Sequence, residues 1–203
     1  MIEPEFITDL GSPNAYLVHK VLPKLESRTG VSFRYNPCLL GGVFKETGNQ
    51  SPYYAFADIT NKLDYEHIEI RRFVSEHGLD AFQFNPHFPM NTLPLMRMAA
   101  AVELDVPDRL RAFMDVGFVG MWELGLDFTQ AEVIRAHFSE AGFDADTLLA
   151  RAGETEVKAH LVANTQDAVA RGVFGMPTIF VGDEMFFGKE RLAQIEAEII
   201  RQS

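Results

Sequence analysis

Gly172-Val-Phe-Gly-Met-Pro-Thr-Ile-Phe-Val-Gly-Asp-Glu-Met-Phe-Phe-Gly-Lys-Glu-Arg-Leu192 is the stretch that decides the fold. A glycine ends a helix, Met176-Pro177 opens a short β-branched strand, and Gly182-Asp183 supplies a hairpin turn. Met185 to Phe187 forms the returning strand, which passes through Gly188 into a charged helix start. Proline can open a strand because its missing N–H is harmless there. A cis bond at Met176-Pro177 is expected, which would turn the Met176 backbone outward, free to pair with an extended ligand.

Upstream, Glu5 to Leu10 reads as a first strand, followed by Gly11-Ser12-Pro13-Asn14. Leu17, Val21 and Leu25 recur every four residues and place an apolar stripe on a helix. Ser12 or Asn14 is the candidate cap, Pro13 suits the first turn, and Pro23 should kink or end the helix locally. Val31, Phe33 and Tyr35 alternate with polar residues as a second strand, so the opening is a strand–helix–strand unit with a right-handed parallel crossover. Pro37 to Ser51, with Gly41-Gly42 and Gly48-Asn49, reads as a loop.

From Asp58 to Arg171 the signals are nearly all helical: Asp58 to Gly78, Thr92 to Leu104, Asp108 to Gly125, a helix begun by the capping box Thr129-x-x-Glu132, then Asp144 to Ala152, Thr155 to Ala163 and Thr165 to Arg171. Leu192, Ile195 and Ile199 give a closing helix its apolar face. The βαβ unit and the terminal hairpin can share one sheet, with the helical segment inserted between them. This gives an α/β fold with residues 1–45 and 164–203 in one domain and 46–163 as an inserted helical domain.

Composition narrows the function. The chain has 203 residues and 47% apolar content, ample for a core. A net charge of −11 argues against nucleic acid, because phosphate binding needs clustered Lys and Arg. The single cysteine, Cys38, rules out an internal disulfide and any Cys-x-x-Cys centre. The acidic start, Met1 to Leu10, lacks a signal-peptide pattern, and no run is apolar enough to span a membrane, so a soluble, cytoplasmic protein is expected. The histidines show no metal-ligand spacing, and Gly41-Gly42 lacks the Gly-Lys-Ser/Thr ending of a phosphate loop.

Several segments together resemble the branch of the thioredoxin superfamily that contains 2-hydroxychromene-2-carboxylate isomerase, kappa-class glutathione transferases and, more remotely, DsbA. They are Asp9-Leu-Gly-Ser-Pro-Asn-Ala-Tyr16, Leu39-Leu-Gly-Gly-Val-Phe-Lys45, Thr47-Gly-Asn49, Lys62-Leu-Asp-Tyr65, Phe88-Pro-Met-Asn-Thr92, Asn164-Thr165 and Gly172 through Leu192. Each alone is weak; their common order and spacing across nearly the whole chain is specific. The resemblance implies a thioredoxin-like fold with a large all-helical insertion, as in DsbA, and glutathione as cofactor.

It also assigns roles. In a thioredoxin-like frame Ser12 lies at a helix N-terminus, where unpaired N–H groups and the helix dipole favour an anion. Redox members carry cysteine at this position; a serine cannot shuttle electrons but can donate a hydrogen bond to a thiolate brought by glutathione. By local sequence alone Ser12 is a plain helix cap. Asn49 matches an asparagine that holds glutathione, and Met176, before Pro177, matches the residue whose backbone pairs with the cysteinyl part. Lys189 and Glu190 match the pair that holds the γ-glutamyl end, although Ser-Asp or Asn-Asp is usual there. Glu190 can face the ligand's ammonium and Lys189 its carboxylate; the other reading is a solvated helix start.

Lys45 and Asn91 are the candidates for a second, aromatic or electrophilic substrate, against the readings of a surface lysine and a helix cap. Trp122, Phe118, Phe84 and Phe88 either line an aromatic pocket or belong to the core. The expected chemistry is addition of the thiolate to a conjugated, ring-opened chromene-carboxylate, rotation about the resulting single bond, and elimination. Rivals are a kappa-like transferase that leaves the sulfur attached, a thiol–disulfide oxidoreductase without Cys-x-x-Cys, and a non-catalytic glutathione-binding module. The family often dimerises, so a homodimer is a candidate assembly.

Overall fold

The computed structural model describes residues 2–203. Its sheet has four strands in the order β2-β1-β3-β4: β1 (Glu5–Thr8), β2 (Arg34–Pro37), β3 (Thr178–Val181) and β4 (Glu184–Phe187). β1 pairs parallel with β2 and antiparallel with β3, and β3 pairs antiparallel with β4. The parallel pair needs a crossover, which α1 (Pro13–Thr29) supplies. The turn between β3 and β4 is Gly182-Asp183, with Gly182 at φ 60°.

The helices follow the chain as α2 (Leu40–Thr47), α3 (Pro52–Ala55), α4 (Thr60–His77), α5 (Leu93–Asp105), α6 (Leu110–Trp122), α7 (Ala131–Glu140), α8 (Ala145–Arg151), α9 (Thr155–Ala170) and α10 (Leu192–Gln202). Short 3-10 turns at Pro107–Arg109 and Lys189–Arg191 lead into α6 and α10. No helix among the described residues is long and apolar enough to cross a membrane.

The sheet is covered on both faces. The larger core runs from Phe6, Leu17 and Leu25 through Met114, Phe118 and Trp122 to Phe138 and Ile199 without a break. The smaller one, on the opposite face, gathers Ile7, Cys38, Val43, Ala168, Val173, Met176 and Phe180 under α2 and α9. Alternation along β1 explains the split, since successive side chains point to opposite faces.

Four expectations need correcting. Pro37 to Ser51 is not a loop: Leu40–Thr47 is helical, ending at Gly48 with φ 71°. Of the glycines that suggested a loop, Gly42 serves packing, because a Cβ on it would lie 3.0 Å from Thr165 Cγ2 of α9. Pro23 neither ends nor breaks α1, which runs on to Thr29. Leu22 and Leu25 on either side of it are fully buried, and their packing outweighs the one lost backbone bond. Thr129 does not cap α7; its N–H and hydroxyl both donate to Asp127 Oδ1 in a turn before the helix. The helices expected on either side of Asn164 are one continuous α9, so position 164 falls inside an element.

Candidate active site

Ser12 sits where β1 meets α1, at φ −96° and ψ 113°, and its Oγ accepts from the Ala15 N–H at 3.1 Å. It is therefore the N-cap of α1. The same oxygen donates to the Met176 carbonyl at 3.0 Å, across the sheet from the segment before β3. Both residues are buried, at 4% and 6% exposure, which keeps competing water from the bond. The Met176-Pro177 bond is cis, as is Phe88-Pro89. The Met176 N–H donates to no backbone acceptor among the described residues.

A buried carboxylate organises this corner. Asp9 is fully enclosed; Oδ1 accepts from the Gly11 N–H at 2.8 Å and the Thr92 hydroxyl at 2.8 Å, and Oδ2 from the Leu40 N–H at 2.7 Å. One side chain thus ties the end of β1 to the first residue of α2 and the cap position of α5. Burial pushes its pKa up, opposed by the two backbone donors and then by Thr92. Space is tight as well: a Cβ on Gly11 would lie 2.9 Å from Thr92 Cγ2. Trp122 Nε1 completes the frame by donating to the Leu10 carbonyl at 2.8 Å.

The other expected site residues divide. Asn49, just past α2, is exposed and donates through Nδ2 to the Phe174 carbonyl at 2.7 Å, which brings it within two residues of Met176 in the chain. Lys45 is exposed near the end of α2. Asn91 is exposed and its Oδ1 accepts from the Leu93 N–H at 3.0 Å, next to the Thr92 that holds Asp9.

Lys189 is not part of a solvated helix start. Its side chain is 2% exposed, its ammonium bonds to Glu190, and Nζ lies 6.0 Å from the Phe73 ring centroid. This pair lines a cleft between α1, α4 and α10, with Glu190 half-exposed.

Phe118 and Trp122 belong to the core, whereas Phe84 and Phe88 are half-buried. Phe88 lies 5.6 Å from Trp122 and 5.1 Å from Tyr53, and Tyr16, one turn beyond Ser12, stacks on Phe82 at 5.6 Å. Cys38 is sealed inside, 0% exposed, with Sγ 3.4 Å from Asn36 Oδ1 and from the Asn164 carbonyl. Burial, with Glu5 next, holds its thiol far above the ordinary range.

Sequence reasoning missed Asp9 as the organiser of the corner. Its signal was available, a carboxylate between a strand and a Gly-Ser-Pro helix start, but its partners Leu40 and Thr92 are distant in sequence.

A mixed four-stranded sheet in which a helix N-terminus meets the carbonyl before a cis-proline defines a thioredoxin-fold protein, here with a hydroxyl and no cysteine at that helix start. Residues 5–200 match the DSBA-like thioredoxin domain, and the chain belongs to that family. It is 28% identical over 200 residues to the 2-hydroxychromene-2-carboxylate isomerase of Sphingobium xenophagum, covering 97% of each chain. It is 27% identical to glutathione S-transferase kappa 1 of Rattus norvegicus, covering 93% of this chain and 86% of that one. A solved 2-hydroxychromene-2-carboxylate isomerase superimposes with a TM-score of 0.85 at 26% identity, over 98% of this chain and 95% of the other.

Proposed function

We propose that the chain is a glutathione-dependent isomerase acting on a 2-hydroxychromene-2-carboxylate or a close aromatic analogue. The observation that carries this reading is the Ser12 hydroxyl, held at a helix N-terminus and 3.0 Å from the Met176 carbonyl. The relatives named for the isomerase and for the kappa transferase support the reaction class.

The residues fit a peptide thiol at the sulfur end. Met176 offers an unused N–H, and its carbonyl is the acceptor of Ser12. A serine hydroxyl has one proton. An amide N–H of the ligand that takes the Met176 carbonyl frees this proton to point at the sulfur. Glutathione when bound supplies the thiolate that adds to the conjugated double bond and is expelled after rotation.

Ser12 and the start of α1 hold that charge. One charge-assisted hydrogen bond contributes roughly 1.5–3 kcal/mol, enough to draw a thiol from about 8.5 toward neutrality. Asn49, already engaged beside Met176, holds the ligand backbone. At the far end Glu190 faces the ammonium, while the buried Lys189 balances Glu190.

For the second substrate, Lys45 supplies a cation and Asn91 its amide protons. The half-buried rings of Phe84, Phe88 and Tyr53 supply an apolar wall. The test is the interconversion of the chromene-carboxylate and its benzylidenepyruvate isomer, followed by absorbance with and without glutathione. Ser12→Ala should lower kcat/KM by about tenfold to a hundredfold. A wild-type rate that does not respond to glutathione overturns the reading, and a stable thioether product seen by mass analysis replaces it with the transferase.

A further inference from the structure

A second cavity of about 420 Å³ opens between α4 and Phe82–Phe84 of the segment that follows it. Its volume falls within the roughly 300–1,000 Å³ of small-molecule sites. Ile70 is its buried residue, His67, Val74, Phe82 and Phe84 are half-buried around it, and Arg71 and Gln83 stand exposed at its rim. His67, Ile70, Arg71 and Val74 stand at helical spacings of three and four, so one stripe of α4 lines the site.

The rings are fixed rather than mobile. Phe84 lies 5.4 Å from Phe82 and 5.2 Å from His67, and both phenylalanines pack on Trp122, at 6.3 and 6.5 Å. Phe82 is also the residue stacked on Tyr16, so its far side belongs to the core.

Arg71 is the polar group without a counterpart. The next residue, Arg72, is bonded to Glu69. Arg71 forms no ion pair or hydrogen bond among the described residues, because His67, Ile68, Val74 and Ser75 fill its neighbouring positions on the helix. A guanidinium left unpaired beside a preformed aromatic wall, in a chain of net charge −11 that offers acids elsewhere, marks a place for an anion. The apolar lining selects which anion, since a phosphate or an aliphatic acid would leave the rings uncovered.

We propose that this cavity binds a flat aromatic monocarboxylate, with the ring against Phe82 and Phe84 and the carboxylate paired with Arg71. The site shares Phe84 with the apolar wall given above to the second substrate but contains neither Ser12 nor Met176, and it does not depend on the thiol reading. The chemistry is shared by the reaction's own aromatic acids and by an unrelated aromatic acid acting as effector.

The chain has one tryptophan, so its indole N–H gives one resolved signal in a nitrogen–proton correlation spectrum, and that indole backs both rings of the cavity. Titrating 2-naphthoate into the full-length protein should shift the Trp122 indole signal saturably. The neutral 2-naphthamide should bind at least about tenfold more weakly, as should naphthoate to Arg71→Gln, while Arg71→Lys should recover part of the affinity. Binding to Ser12→Ala should equal wild type. A shift that does not saturate, or equal affinity for acid and amide or for wild type and Arg71→Gln, overturns the proposal. Affinity lost in Ser12→Ala and kept in Arg71→Gln moves the ligand to the thiol corner and also overturns it. If the site holds, competition by the chromene-carboxylate identifies the reaction's own acid as the ligand, and no competition identifies a separate effector.

Discussion

Ser12 serves two backbones at once, accepting from Ala15 and donating to Met176, so its replacement has separable effects. Losing the cap costs about 0.5–2 kcal/mol of stability, while under the proposed function losing the proton donor also weakens ionisation of the bound thiol. A cysteine keeps the position but changes the chemistry. Ser12→Cys should carry a thiol about one to two units below the ordinary value near 8.5, because the α1 dipole and its free N–H groups favour the thiolate. The pH profile of alkylation by iodoacetamide measures it; a profile at or above the ordinary value would mean that burial, not the helix, governs the site. From the sequence Ser12 could be read as a cap because it stands at a helix start, and as a thiol partner because of the resemblance of the segments around it. The three partners of Asp9 could not, because carboxylate satisfaction is a property of folded neighbours.

At the scale of elements, close approach between α6 and the β1–α1 connection holds the corner in place. A Cβ on Gly117 would lie 2.6 Å from Leu10 Cδ1, in a fully buried setting, and Leu10 also accepts from Trp122. Gly117→Ala should therefore lower stability by about 1–3 kcal/mol and weaken thiol binding by displacing Leu10 and with it Ser12. Urea unfolding with a thiol titration checks this; an unchanged midpoint would show that Leu10 yields freely. The hairpin could be read from its Gly182-Asp183 turn and the helix of the first crossover from its apolar stripe, whereas the unbroken length of α9 could not. α2 was missed because glycines that let helices approach look locally identical to glycines that let chains turn. Pro23 misled for a related reason: a local penalty says nothing of the burial on either side.

Over the whole molecule, one core runs from the sheet through the helical layer, and a buried histidine sets its acid limit. His19 is 4% exposed, with Nδ1 2.7 Å from the Tyr35 hydroxyl and Nε2 2.9 Å from Asp115 Oδ1; a neutral ring protonated at Nε2 fits both, donating to Asp115 and accepting from Tyr35. Burial lowers its pKa, with Asp115 opposing. The unfolded chain then takes up a proton below about pH 6.5 that the folded protein resists, so stability is full above that value and falls as pH drops through the window beneath it. The slope approaches about 1.4 kcal/mol per pH unit. Denaturant midpoints from pH 7.5 to 5.5 should decline in the wild type and decline less in His19→Gln; equal slopes would acquit the histidine. The sequence gives no hint of this, since nothing local tells a core histidine from a surface one. Cys38, enclosed at 0% exposure, has a consequence of its own. Native protein should titrate no thiol with Ellman's reagent and one after denaturation, so hydrogen peroxide would leave this sulfur reduced while it consumes free thiols in the surrounding solution.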